Sequence, residues 1–215
     1  MKHFPRLFLL LLALLPLAAC AADTAAPVEG RDYELIAEPG PFAPLAGKIE
    51  VVEVFGYPCI HCAHFEPLLE AWVGKLPADV RFTAVPGAFG GHWDAYARAF
   101  YAAEQTGVLK RSHADVFKAL HERRSLPMQN VSPQELATFY ASYGVQPQRY
   151  IDALRSGQVD EKVKAGRAFA MRARVPGTPA LIVNGKYLVK GRGFDDQLRI
   201  ASALVERERA AARRR

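Results

Sequence analysis

The sequence predicts an α/β fold whose sheet is interrupted midway by an all-helical block, and three patterns predict it. Ile49-Glu50-Val51-Val52-Glu53-Val54-Phe55 is a compact β-branched run of the kind that forms a buried strand, and Gly56-Tyr57-Pro58 ends it. From Trp93 to about Arg172 strand signals vanish, and helical runs follow one another between Gly107, Pro127, Pro133, Gly144, Pro147 and Gly157. The β pattern then resumes in Ala180 to Val183 and Tyr187 to Val189, which flank Asn184-Gly185, a strong hairpin signal. Strands, one early helix, a helical block and returning strands suit a sheet with helices on its faces.

The elements follow in order. Met1-Lys2-His3-Phe4-Pro5-Arg6, an apolar run from Leu7 to Leu17 and then Ala18-Ala19-Cys20 make a secretory signal over residues 1–19, too short to span a bilayer as a settled helix. Leu17-Ala18-Ala19-Cys20 also resembles a bacterial lipobox, in which Cys20 is lipidated and becomes the first residue; ordinary cleavage after Ala21 is the alternative. Mass spectrometry of the mature N-terminus decides between them, because an unmodified chain beginning at Ala22 excludes the lipid. Residues 20–30 read as a flexible tether. Tyr33 to Ile36 is a short strand, and Pro39-Gly40-Pro41 and Pro44 break the pattern after it. Phe65, Leu68, Leu69, Trp72 and Leu76 then give one apolar helical face, with Pro67 expected to kink the helix. Val80 to Val85 is another strand. Ser132-Pro133-Gln134-Glu135 starts a helix with a serine cap, a proline in the first turn and an acid three residues on. Phe194, Leu198, Ala201 and Val205 mark a last amphipathic helix. We therefore expect a discontinuous sheet domain over 31–90 and 173–212, and a helical insertion over 91–172.

Bulk properties bound the function. A chain of 215 residues, 50% hydrophobic, can bury a real core. Its net charge of +6 is interleaved with 22 acids and forms no basic stripe with aromatics, which argues against nucleic-acid binding. The basic run from Arg207 to Arg215 reads as a solvated, frayed helix end, or as weak contact with anionic lipid headgroups beside a second anchor.

The chemistry concentrates in Cys59-Ile60-His61-Cys62. With Cys20 assigned to a lipid, the other two of 3 cysteines are Cys59 and Cys62, and export places them where a disulfide persists. Cys59 follows a buried strand and opens a helix, where unpaired N–H groups and a partial positive charge stabilise an anion. Cys62 falls one turn on, within disulfide reach. Reactive cysteines titrate at roughly 3.5–7.5, against ~8.5 for a free thiol. A drop of five units needs about 7 kcal/mol, of which the helix terminus supplies at most about 2. His61, the Cys62 thiol and local amides must contribute the rest, unless His61 is merely a solvent-facing histidine. Glu53 shares a strand face with Val51 and Phe55. It is either a strand-end acid reaching water, or a buried carboxyl with a raised pKa that exchanges the Cys62 proton.

These residues resemble the DsbA family of thioredoxin-fold disulfide oxidases, whose namesake marks the low end of that thiol range. The resemblance spans nearly all of the chain after the signal. It rests on Glu53 six before the first cysteine, Phe55, the C-x-H-C centre, Phe65-Glu66-Pro67, Val175-Pro176-Gly177-Thr178-Pro179-Ala180 and Val183-Asn184-Gly185-Lys186-Tyr187. It implies a thioredoxin-like fold with an inserted all-helical domain, and a cis Pro179 facing the cysteines with Thr178 offering backbone to a peptide. Residue type alone favours trans, since only about one X–Pro bond in twenty is cis. Two departures stand out: the usual dipeptide Pro-His is Ile60-His61 here, and the lysine that often partners the buried glutamate aligns with Ala84.

The expected activity is a periplasmic thiol:disulfide interchange in which the Cys59–Cys62 disulfide passes to reduced, unfolded exported proteins through a mixed disulfide on Cys59. The resemblance implies recharging by a DsbB-like membrane quinone reductase; no cofactor is expected, and a monomer is. A reductase or isomerase of the same fold is the nearest rival, although no segment before residue 48 is large enough for a dimerisation domain. A rival of another class is a copper or zinc module using Cys59, His61, Cys62 and His64, which lacks the second ligand pair zinc usually wants.

Overall fold

A computed structural model describes residues 26–214, so the signal sequence and Cys20 lie outside the described residues. Five strands are built where β-branched and aromatic residues cluster: β1 (Tyr33–Leu35), β2 (Ile49–Phe55), β3 (Val80–Pro86), β4 (Ala180–Val183) and β5 (Tyr187–Val189). They form one sheet in the order β1-β5-β4-β2-β3, in which β2 and β3 are parallel and the other pairs antiparallel. Every residue of β2 is buried, as a central strand covered on both faces requires.

Helices α1 (Ile60–Val73) and α7 (Phe194–Ala212) cover one face, where Phe65, Leu69, Ile200, Ala201 and Leu204 meet Val51, Leu181 and Val183. Between β3 and β4 come α2 (His92–Gln105), α3 (Leu109–His121), α4 (Pro133–Ala141), α5 (Pro147–Leu154) and α6 (Gly157–Arg172). α6 returns to the other face of the sheet, packing Phe169 and Ala170 on Val52, Val54, Val85 and Ile182. The remaining helices share a core that reaches up to Phe55, Tyr57 and Cys62, so the redox segment lies at the seam between sheet and insertion.

Local chemistry sets the element ends. Ser132 accepts from the Glu135 N–H at 3.2 Å while Glu135 accepts from the Ser132 N–H at 2.8 Å, the reciprocal box its sequence predicts for α4. The β4–β5 turn spans three residues, Asn184 to Lys186, and has φ of 53° at Asn184 and 62° at Gly185, positive values that asparagine and glycine adopt most readily. At Gly185 a Cβ would also stand 2.1 Å from the Gly40 carbonyl oxygen, so only glycine fits there. α1 continues through Pro67.

Candidate active site

Strand β2 ends at Phe55, the chain turns, and Cys59 becomes the N-cap of α1 with extended φ −86° and ψ 113°. Its Sγ accepts the Cys62 N–H at 3.3 Å, as a cap oxygen would. The turn is held from both sides. The Cys59 N–H donates to the Gly56 carbonyl at 3.0 Å, and Nε2 of His121, on α3, donates to the Tyr57 carbonyl at 2.7 Å. The Tyr57 ring is buried, and its hydroxyl lies 2.7 Å from Nδ1 of His113. Trp93 stacks so closely on Gly56 that a Cβ there would fall 2.1 Å from the indole ring.

Across from α1 the Thr178–Pro179 peptide is cis. The Thr178 carbonyl stands 3.3 Å from Sγ of Cys59, which puts this loop directly against that sulfur. Cys59 is half-buried and Cys62 is buried, both as free thiols. Attack from outside therefore reaches Cys59 first.

The two sulfurs are made unequal by their surroundings. The Cys62 thiol donating to Cys59 is the largest influence holding Cys59 down to about 5; the Thr178 side chain and the backbone N–H groups of Cys62 and His61 add to it, while partial burial opposes. Burial pushes Cys62 far up, reinforced by its bond to Cys59 and by the charges on Cys59 and Glu53. The shortfall left by the helix terminus is thus met chiefly by the second thiol. His61 adds its backbone N–H to this set, while its ring is exposed and makes no hydrogen bond among the described residues.

Glu53 is 2% exposed and lies in register with Ala84 of β3, so the strand beside it offers no charge. Burial, then Glu66, then Cys59 hold its carboxyl well above the usual carboxylate range. It borders a cavity of about 510 Å³ between α1, β3 and the inserted helices. His64 is exposed on α1, and among the described residues no three His, Cys, Asp or Glu side chains converge as a metal site. The sequence reading did not pick out Tyr57, His113 or His121. All three belong to helix or turn positions whose roles appear only when α3 is docked, although the spacing of His113, Phe117 and His121 does mark one helical face.

A strand-to-helix Cys-x-x-Cys with one acidified, accessible thiol and one buried partner, facing a cis-proline loop on a thioredoxin sheet, defines a thiol:disulfide oxidoreductase. The DSBA-like thioredoxin domain model matches residues 50–205, and the chain belongs to that family. It is 36% identical over 208 residues to the thiol:disulfide interchange protein DsbA of Pseudomonas aeruginosa, covering 95% of this chain and 96% of that one. Its similarity to the DsbA of Azotobacter vinelandii is 36% over 196 residues, with 88% and 90% covered. The crystal structure of the oxidoreductase DsbA from Xylella fastidiosa superposes with a TM-score of 0.85 at 55% identity, covering 86% of this chain and 99% of that one.

Proposed function

We propose that the protein is a disulfide oxidase of the periplasm, which donates its Cys59–Cys62 disulfide to reduced, unfolded exported proteins. The observation that carries this direction is the acidified Cys59, held down to about 5. A reduced form so stabilised makes the disulfide a stronger oxidant. In the cycle, a client thiolate attacks Sγ of Cys59, the S–S bond breaks, and Cys62 leaves with the electron pair. Cys62 takes a proton, for which Glu53 is the adjacent carboxylic acid. A second client thiolate then attacks the client sulfur of the mixed disulfide, releasing an oxidised client and the Cys59 thiolate. Thr178 and the cis Pro179 would seat the client backbone beside Cys59 by strand addition. A DsbB-like membrane quinone reductase would reclaim the two electrons, and a lipid on Cys20 would keep the enzyme near it. Among the described residues no helix is long and apolar enough to cross a membrane.

Equilibration with glutathione, read by thiol trapping, tests the direction together with the role of His61. The wild type should hold its dithiol form against glutathione far more strongly than a thioredoxin-like reductase does, and should reoxidise reduced ribonuclease faster than it reduces insulin. His61→Ala should raise the Cys59 titration midpoint, read by thiolate absorbance, and shift the glutathione equilibrium toward the disulfide form. A wild type that favours insulin reduction would make it a reductase. An unmoved midpoint in the variant would confine His61 to its backbone N–H.

A further inference from the structure

The redox turn is joined to the inserted helices by a polar chain that the exchange chemistry does not itself require. Nδ1 of His113 lies 2.7 Å from the Tyr57 hydroxyl, and its Nε2 lies 3.4 Å from Oε2 of Glu66 on α1. The rings of Phe55, Phe100 and Phe117 pack edge-to-face around the imidazole, with centroids 5.2, 5.8 and 5.4 Å from its own, and fix it in place. Ring and carboxylate are nearly enclosed, with side chains 17% and 15% exposed. Both line the same cavity as Glu53.

This arrangement suits a proton carrier. A phenol can donate to a neutral Nδ1 or accept from a protonated one, so His113 gains or loses a proton without orphaning either nitrogen. Glu66 faces Nε2 from the other side. The cavity, about 510 Å³, is walled mostly by apolar side chains, but Glu53, Glu66 and His113 open onto it, and it has room for waters at about 30 Å³ each between them. Facing the ring are Tyr57 from the redox turn and Glu66 from α1; around the cavity stand Glu53 on β2, Glu70 on α1, Tyr101 and Glu104 on α2, Lys110 on α3 and Lys162 on α6. Lys162 is engaged by Glu104 at 2.7 Å.

We propose that His113, with Glu66, relays protons between solvent and Glu53 across this cavity during disulfide exchange. The inference rests on the reading that Glu53 exchanges the Cys62 proton. When Cys62 leaves as a thiolate it takes the Glu53 proton, giving a thiol and a buried carboxylate with no hydrogen bond among the described residues. A proton from the His113 imidazolium then passes through cavity water to Glu53, and neutral His113 recovers one from solvent. On recharging, the same steps run backward. No electrons move in the relay.

The test is single-turnover reduction of the disulfide form by dithiothreitol across a pH series, corrected for the thiolate fraction of the reagent. Wild type should show an inflection that the ionisation of the reagent does not account for. His113→Asn should abolish that inflection and slow the reaction by about tenfold at low pH. Added imidazole should restore the rate where an equal concentration of a larger buffer does not, and the glutathione equilibrium should stay unchanged. If Glu53→Gln is slow but His113→Asn keeps the wild-type profile, the relay fails and the role of Glu53 stands. If Glu53→Gln is as fast as wild type, the role of Glu53 fails and the relay with it. Should His113→Asn not fold, imidazole NMR titration of the wild-type protein decides: a His113 midpoint that moves when the cysteines are oxidised supports the relay, and one that stays fixed overturns it.

Discussion

Unfolded by denaturant at neutral pH, the dithiol form of this protein should prove more stable than its disulfide form, the reverse of what a cross-link ordinarily does. Cys59 is held down to about 5 in the folded dithiol, against ~8.5 for the thiol of an unfolded chain. A depressed folded value contributes stability that is complete above the unfolded value and is lost as pH falls through the folded one. The gap between the two forms should therefore open from pH 5 upward and level off near pH 8.5. Its ideal slope is about 1.36 kcal/mol per pH unit. Cys59 is only half-buried, so solvent screening reduces the gain, and about 1–3 kcal/mol is expected at neutral pH. The disulfide itself closes too small a loop to offset this with chain entropy. Cys62, pushed upward, does not titrate in the window, and the burial that raises Glu53 acts in both forms. Paired denaturant curves at several pH values check the result. A gap independent of pH would show that Cys59 is not the stabilised thiolate described here.

How much of this was legible in the chain depends on whether the signal is local. The β2 run, the Asn184-Gly185 hairpin and the Ser132 capping box each carry their geometry within a few residues, and each forms where the sequence predicts it. Cys59 and Cys62 are also local, because strand, turn and helix start adjoin in sequence. The cis bond before Pro179 is different: residue type favours trans, and only the family pattern of the preceding loop implied it. His113 and His121 are long-range. Nothing near them in sequence says that α3 will dock on the Tyr57 turn, 64 residues away from His121 along the chain. The thiolate's donors were half visible. The Cys62 thiol was named among them, but the lead it takes over the His61 ring depends on rotamers and burial that spacing does not encode.

Substituting Arg81 should cost more stability than any exposed position of the sheet, because of a carboxylate on the same strand as Glu53. Glu50 is fully buried, and its Oε1 is held by Arg81 at 2.7 Å and Thr83 at 3.3 Å, while Oε2 accepts the Phe42 N–H at 2.7 Å. The same guanidinium donates to the Ala43 and Pro44 carbonyls, at 3.0 and 2.8 Å, and so ties the incoming loop to the sheet. The parallel register that sets Ala84 against Glu53 also sets Arg81 against Glu50, three residues back on each strand. One strand thus carries two acids treated oppositely. One is neutralised by a partner for structure, and the other is left without one beside the redox helix. Removing one member of a buried pair costs about 3–5 kcal/mol, since the remaining charge loses its compensation. Arg81 is itself 29% exposed, so Arg81→Met should fall near the lower end, about 3 kcal/mol. The double variant Arg81→Met with Glu50→Leu should recover part of that loss, although the Phe42 N–H then lacks its acceptor. Neither should move the Cys59 midpoint, because the pair sits at the far end of β2. Denaturant midpoints read alongside thiolate titrations test both halves: a single variant as stable as wild type would show that the pair contributes nothing net, and a shifted thiolate would show that the two ends of the strand are coupled.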